Sequence, residues 1–110
     1  MFARKRTLGD EHPDTLTSIN NLAALLVAQD KLDEAEPLFR EALSARRRTL
    51  GDEHPSTLDS IFNFALLMQA QGKLAEALEL SRQALAGRRR VLGEGHPNTQ
   101  NALRLYNQLQ

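Results

Sequence analysis

The residues most able to do chemistry in this chain are three histidines, His12, His54 and His96, spaced 42 residues apart. An imidazole can ligate a metal ion or transfer a proton near neutral pH. A zinc site needs three or four ligands within about 2.3 Å of one ion, whereas equivalent positions in packed helices lie on the order of 10 Å apart. A proline follows each histidine directly, which favours the first turn of a helix. We therefore expect the histidines to begin helices, and we expect no metal site and no cofactor.

The remaining polar residues do not form a catalytic pattern. The chain has no cysteine, which excludes a thiol nucleophile, a disulfide and a cysteine-based zinc site. Its six glycines are isolated, whereas a phosphate-binding loop needs a glycine cluster before a helix. No triad order of serine, histidine and carboxylate is specified, nor any carboxylate pair suited to acid–base work. The sequence therefore predicts that the protein is not an enzyme.

Basic clusters recur at the same spacing, as Arg4-Lys5-Arg6, Arg46-Arg47-Arg48 and Arg88-Arg89-Arg90. A nucleic-acid-binding surface combines such a stripe with excess positive charge and stacking aromatic residues. Here 14 basic residues balance 14 acidic ones, tryptophan is absent and there is one tyrosine. Acidic residues also follow each cluster within a few positions. We interpret the clusters first as solvated or ion-paired structure, second as a surface for an acidic protein, and last as a nucleic-acid site.

The spacing of 42 residues belongs to a repeat of the whole chain. The segment Leu8–Leu16 returns at 50–58 and, in weaker form, at 92–100. Aligned without gaps, residues 8–49 and 50–91 are identical at 26 of 42 positions. The chain thus forms a single repeat domain: residues 1–7 are the tail of a preceding unit, 8–49 and 50–91 are complete units, and 92–110 are a half unit acting as a C-terminal cap.

Each unit contains two stretches in which apolar residues lie three or four positions apart, the spacing of one helix face. Leu16, Ile19 and Ala23 mark the first stretch of the first unit. Pro37 fits this scheme if it lies in the first turn of its helix, where a proline loses no hydrogen bond. Gly72 is suited to end a helix in a left-handed conformation. The sequence predicts an all-α protein with five main helices, near residues 13–28, 32–48, 55–70, 74–90 and 97–109.

These units resemble the tetratricopeptide repeat, on the evidence of their small and apolar positions and of the segments LGDEHPDTL, NNLAALL and DEAEPLFREAL. The usual repeat has about 34 residues, and the longer unit found here is similar to the repeats of kinesin light chains. The resemblance implies a right-handed helical-hairpin solenoid that serves as a protein-interaction scaffold in the cytoplasm. It implies a protein or peptide partner, which would be a cargo or adaptor segment, often acidic with an aromatic anchor, if the likeness extends to role.

By the same resemblance, an extended peptide would bind the concave face, which is lined by the first helix of each unit. The inward positions are Thr17, Asn20, Asn21, Ala24, Val27, Asp59, Phe62, Asn63, Leu66 and Gln69, and the last helix adds Asn101, Arg104 and Gln108. An asparagine amide offers two donors and an acceptor, so Asn21 and Asn63 can pair with a peptide backbone. The alternative is that each amide bonds within its own array or with water.

Two other functions stay open. The chain can be a structural fragment that self-associates through its open ends, driven by apolar surface near Leu16 and Ile19 and without a separate ligand. It can also bind anions or nucleic acid through the arginine stripe, the weakest of the three hypotheses. A membrane partner is not expected, because the densest apolar stretch, residues 22–28, is far shorter than the roughly 18 residues of a membrane span.

Overall fold

The computed structural model describes residues 12–110. Five helices follow one another, α1 (Pro13–Ala28), α2 (Leu32–Leu50), α3 (Pro55–Ala70), α4 (Leu74–Leu92) and α5 (Pro97–Leu109). Each helix packs on the next one along the chain, α1 on α2, α2 on α3, α3 on α4 and α4 on α5. This serial packing confirms the predicted all-α helical-hairpin solenoid. The helices α2 and α4 end two residues beyond the predicted ends, and the predicted tail at residues 1–7 lies outside the described part of the chain.

The three histidines begin the first helix of each unit. Nδ1 of His12, His54 and His96 accepts a hydrogen bond from the backbone N–H two residues later, at 3.1, 3.0 and 3.0 Å. A proline follows in the first turn of each helix. The side chain thus satisfies one of the backbone donors that a helix start leaves unpaired. The predicted role at helix starts is confirmed, and residues 12–110 contain no cluster of three potential metal ligands.

The prediction for Pro37 is wrong. Because α2 begins at Leu32, Pro37 is its sixth residue and lies inside the helix rather than in its first turn. A proline there has no N–H for the carbonyl four residues earlier, at Asp33. Glu79 stands at the equivalent position of α4, where the backbone carries its normal donor.

Chain reversals between the paired helices use a left-handed residue. Gly72 has φ +78°, as predicted, and Asp30 at the equivalent position has φ +62°. Asp30 is the one residue other than glycine with positive φ among residues 12–110. Aspartate tolerates this conformation better than most side chains, although less well than glycine. The two complete units therefore turn in the same way despite their different residues.

Small residues lie where the two helices of a unit meet. Ala42 and Ala84, at equivalent positions, are fully buried. Gly87 allows a still closer approach, because a Cβ atom there would lie 2.4 Å from Cδ2 of Leu58. Larger side chains, such as Phe64, fill the core between neighbouring units. Close packing of this kind fixes the first helices, which carry the predicted binding residues.

Within residues 12–110, no helix combines the length and the apolar character needed to cross a membrane.

Candidate functional site

The helices α1, α3 and α5 carry all thirteen predicted binding residues, and we call the surface formed by these side chains the first-helix face. Eight of the side chains are exposed: Thr17, Asn21, Ala24, Asp59, Leu66, Asn101, Arg104 and Gln108. The other five, Asn20, Val27, Phe62, Asn63 and Gln69, are partly buried. Every one of the residues that resemblance assigned to binding is therefore accessible to a partner to some degree.

Four of these residues meet in one cleft between consecutive first helices. Ala24 and Val27 come from α1, and Asn63 and Leu66 from α3. The cleft is completed by Phe39 and Leu67, and its volume is about 120 Å³. Small-molecule sites usually enclose about 300–1,000 Å³. The cleft is therefore sized for a single side chain of a larger partner. Phe39 and Leu67, which the sequence did not predict as binding residues, also belong to the buried core.

Arg88, near the end of α4, holds a second group of predicted residues. Its side chain is 5% exposed, and its Nη2 donates to Oδ1 of Asp59 at 3.0 Å. Nη1 donates to the carbonyl oxygen of Asn98 at 2.9 Å, and the guanidinium lies 4.5 Å from the centre of the Phe62 ring. Asp59 and Phe62 are thus brought together by Arg88, and the carboxylate of Asp59 is already paired with a cation.

Arg46, the equivalent residue of the preceding unit, is also buried and also bonds to residues of two first helices. Its Nη1 donates to Oγ of Ser60 at 2.7 Å and to the carbonyl oxygen of Ser56 at 3.1 Å, and its Nη2 donates to Oγ1 of Thr17 at 3.4 Å. Burial lowers the pKa of Arg46, and the nearby carboxylate of Asp59 partly opposes this effect. Each of these arginines therefore joins the first helix of its own unit to the first helix of the next.

The arginine clusters were predicted to be solvated or ion-paired. This prediction is wrong for Arg46, which is buried and bonds to neutral acceptors. Arg88 is also buried, but its ion pair with Asp59 agrees with the prediction. A sequence signal did exist, because a threonine recurs eleven residues after each of them. The hydroxyls of Thr57 and Thr99 donate to the carbonyl oxygens of Arg46 and Arg88, at 3.3 and 3.2 Å, and fix the helix end. The composition of each cluster alone indicates solvation, because runs of like charge are usually solvated.

Ion pairing, the other part of that prediction, is confirmed for the outer arginines. Nε of Arg47 lies 3.5 Å from Oδ1 of Asp52, and Nε of Arg89 lies 2.5 Å from Oε1 of Glu94. Nε of Arg90 donates to a carboxylate oxygen of Glu53 at 2.5 Å. These pairs neutralise much of the positive charge of the stripe.

The four asparagines of the first-helix face differ in their hydrogen bonding. Asn101 accepts a hydrogen bond from Arg104 within α5, and Oδ1 of Asn20 is buried without a donor in the part of the chain that is described. Asn21 and Asn63 make no side-chain hydrogen bond within residues 12–110. Their amides are therefore available to a partner.

The comparisons with known proteins agree with the repeat architecture. The family model of the tetratricopeptide repeat matches residues 3–48 and 17–90. No curated protein matches the chain. Among solved structures, a kinesin-light-chain-like protein of Podospora anserina with nearly identical TPR-like repeats is 32% identical, with a TM-score of 0.89 over 97% of this chain and 51% of its own. A point variant of that protein is 31% identical, with a TM-score of 0.90 over 97% and 50%.

A third solved structure shows the fold alone. BtubC (BKLC) from P. vanneervenii is 21% identical, with a TM-score of 0.87 over 96% of this chain and 42% of its own. The present chain thus spans about half the length of the structures it resembles. Because the family model covers more than half of the chain, the protein belongs to the tetratricopeptide repeat family, and its 42-residue unit is of the kinesin-light-chain-like type.

Proposed function

We propose that this protein binds an extended peptide segment of a partner protein on its first-helix face. The tetratricopeptide repeat is a protein-interaction scaffold, which gives the general function. The observation that carries the finer proposal is the cleft, where the free amide of Asn63 adjoins the apolar side chains of Ala24, Val27 and Leu66. An apolar recess beside an unpaired amide suits a peptide, which presents a side chain and a backbone amide together.

Asn21 extends this arrangement to the preceding unit. It stands at the position equivalent to Asn63, is exposed, and makes no side-chain hydrogen bond within residues 12–110. Two equivalent amides on consecutive first helices can hold the backbone of one extended segment at two points. Backbone recognition of this kind does not prescribe the sequence of the partner.

Binding without catalysis is part of the proposal. The fold is of a scaffold type, and we infer no cofactor and no metal for its function. The kinesin-light-chain-like neighbours favour a cytoplasmic protein whose partner is a cargo or adaptor segment. A nucleic-acid partner is disfavoured, because the arginine stripe is largely buried or ion-paired.

The test is to map peptide binding by nuclear magnetic resonance. Peptides selected against the immobilised protein from a random library of about twelve residues would be titrated into the labelled chain. We expect the largest amide shift changes at Ala24, Val27, Asn63 and Leu66. Changes concentrated on the outer surfaces of α2 and α4 would contradict the proposal, as would a library that returns no binder.

Self-association is a second candidate function, and one observation favours it. Leu22 and Leu25 on α1 are 45% and 53% exposed, whereas their equivalents Phe64 and Leu67 on α3 are 5% and 1% exposed. Leu16 and Ile19 themselves are buried against α2, so the exposed apolar surface is the neighbouring one at Leu22 and Leu25. This outer face of α1 can pair with a second copy of the chain.

A further inference from the structure

Charge is divided unevenly between the two kinds of helix. The second helices α2 and α4 together carry fourteen acidic or basic residues. The first helices α1, α3 and α5 carry three, which are Asp14, Asp59 and Arg104. The surface offered for binding is therefore built almost entirely of amide, hydroxyl and apolar side chains.

None of the three charged residues of the first helices lines the cleft. Asp59 is paired with Arg88 at 3.0 Å, and Asp14 lies in the first turn of α1, where the helix dipole stabilises it. Arg104 donates to Asn101 on its own helix. The six residues that line the cleft include none that is charged.

From this distribution we infer that the first-helix face selects an uncharged, extended peptide segment with an aliphatic side chain for the cleft. The inference rests on the proposed function and adds the chemistry of the partner. A charged side chain that is covered against this face would lose its hydration without gaining an opposite charge, and such burial is costly. A neutral segment avoids that cost and still finds partners for its backbone in the amides of Asn21 and Asn63.

An acidic segment fits this face less well. The guanidinium groups of Arg46 and Arg88 contact residues of the first helices, but both are buried and donate to protein acceptors. Arg104 is the one basic residue of α1, α3 and α5 with which an acidic partner would form an ion pair. The acidic segment expected from the family resemblance is therefore not the one that this surface favours.

The inference also predicts weak dependence on salt. Binding that forms no ion pair is not screened by added electrolyte, whereas binding between opposite charges weakens steeply. We expect the dissociation constant of a selected peptide to change less than about twofold between roughly 50 and 500 mM sodium chloride.

The experiment compares matched synthetic peptides of about twelve residues, with blocked ends. The parent contains Leu, Ser, Thr and Gln, and two variants replace two flanking residues by Asp or by Lys. Affinity is measured by calorimetry, and the bound face is identified by amide shift changes. We expect both charged variants to bind at least about tenfold more weakly than the parent, a difference of about 1.4 kcal/mol.

A variant of the protein tests whether the uncharged cleft selects a neutral peptide. Leu66→Lys places a charge at the cleft and should weaken the parent peptide at least about tenfold while relatively favouring the Asp peptide. Leu74→Lys is the matched control, since Leu74 is an exposed leucine of α4 outside the first-helix face, and it should leave affinity unchanged.

The outcomes separate the two proposals. Preference of the wild-type protein for the Asp peptide, with shift changes on the first-helix face and strong salt dependence, would overturn the inference and leave peptide binding intact. Binding of every peptide away from that face, or of none, would overturn the proposed function and the inference with it.

Discussion

At the scale of single residues, the peptide-binding proposal depends most on Asn21 and Asn63. We expect the double variant Asn21→Ala/Asn63→Ala to bind a selected peptide about 1–3 kcal/mol more weakly, because covered backbone amides of the peptide lose their partners. Its melting temperature should hardly change, since neither amide bonds to another described residue. A binding isotherm and a thermal melt on the same sample measure both quantities.

The alternative for this pair gives the opposite pattern. If the asparagines serve the fold, the double variant melts at a much lower temperature and binds normally while it is folded. Asn107, an exposed asparagine of α5 that is not among the thirteen residues of the first-helix face, provides the matched control. Asn107→Ala should alter neither the melting temperature nor the affinity by more than the error of measurement.

Arg88 is a buried charged residue whose loss should destabilise the fold. Arg88→Met leaves Asp59 without its cation and the carbonyl of Asn98 without its donor. We expect the free energy of unfolding to fall by about 1–3 kcal/mol, because the carbonyl oxygen of Asn98 stays partly buried without a donor. Urea denaturation measures the loss.

Arg89 supplies the comparison for that measurement. Its ion pair with Glu94 is formed by side chains that are 46% and 64% exposed. Exposed pairs contribute about 0–1 kcal/mol, so Arg89→Met should cost at most that much. Equal losses for the two variants would show that burial of Arg88 does not matter to stability.

At the scale of the helices, the histidine caps are the feature to test. His54→Ala removes the acceptor for the N–H of Ser56 at the start of α3. We expect a loss of about 0.5–2 kcal/mol in the free energy of unfolding, the range found for lost helix caps. Chemical denaturation again measures the effect.

His54→Asn is the matched control, since an asparagine side chain also accepts from the N–H of the second or third helical residue. It should recover most of the lost stability. If His54→Asn is as unstable as His54→Ala, the histidine contributes through something other than its cap.

Most of the helix architecture could be predicted because it follows from local patterns. Apolar periodicity and the His-Pro pairs located the starts of α1, α3 and α5 at Pro13, Pro55 and Pro97. Pro37 was wrongly predicted to lie in the first turn of α2, because a proline inside a helix loses a hydrogen bond. Packing along α2 offsets that cost. Local rules see that cost but not the tertiary contacts that offset it.

The candidate site was less predictable, for a physical reason. The resemblance gave the accessible positions, but the cleft also requires Phe39 and Leu67, which come from the core side of their helices. The buried position of Arg88 depends on acceptors 29 residues before it and 10 residues after it. Contacts over such distances leave no local signature, and one sequence shows them only through its repeat.

At the scale of the whole molecule, the described structure has two unlike ends. The outer face of α1 is apolar, with Leu22 and Leu25 exposed. On α5, polar residues stand where the preceding unit has apolar ones: Gln100 is equivalent to Leu58, and Asn107 to Ala65. Terminal repeats of a solenoid commonly carry such a polar surface. The polar surface of α5 favours the predicted C-terminal cap, which stays a prediction, and α1 is the end suited to association.

This asymmetry leads to the last prediction, which concerns self-association. An apolar face at one end only can pair with the same face of a second copy, giving a closed dimer, whereas a filament needs two complementary ends. We therefore expect concentration-dependent dimers of the 110-residue chain, and no larger species, in analytical ultracentrifugation at high concentration.

Leu22→Ser/Leu25→Ser should abolish these dimers, because the apolar area that drives the contact is removed. Leu74→Ser, which changes an equally exposed leucine elsewhere, should leave the dimer intact. A strict monomer at millimolar concentration would refute self-association, and growth into long oligomers would show that the polar surface of α5 does not cap the array.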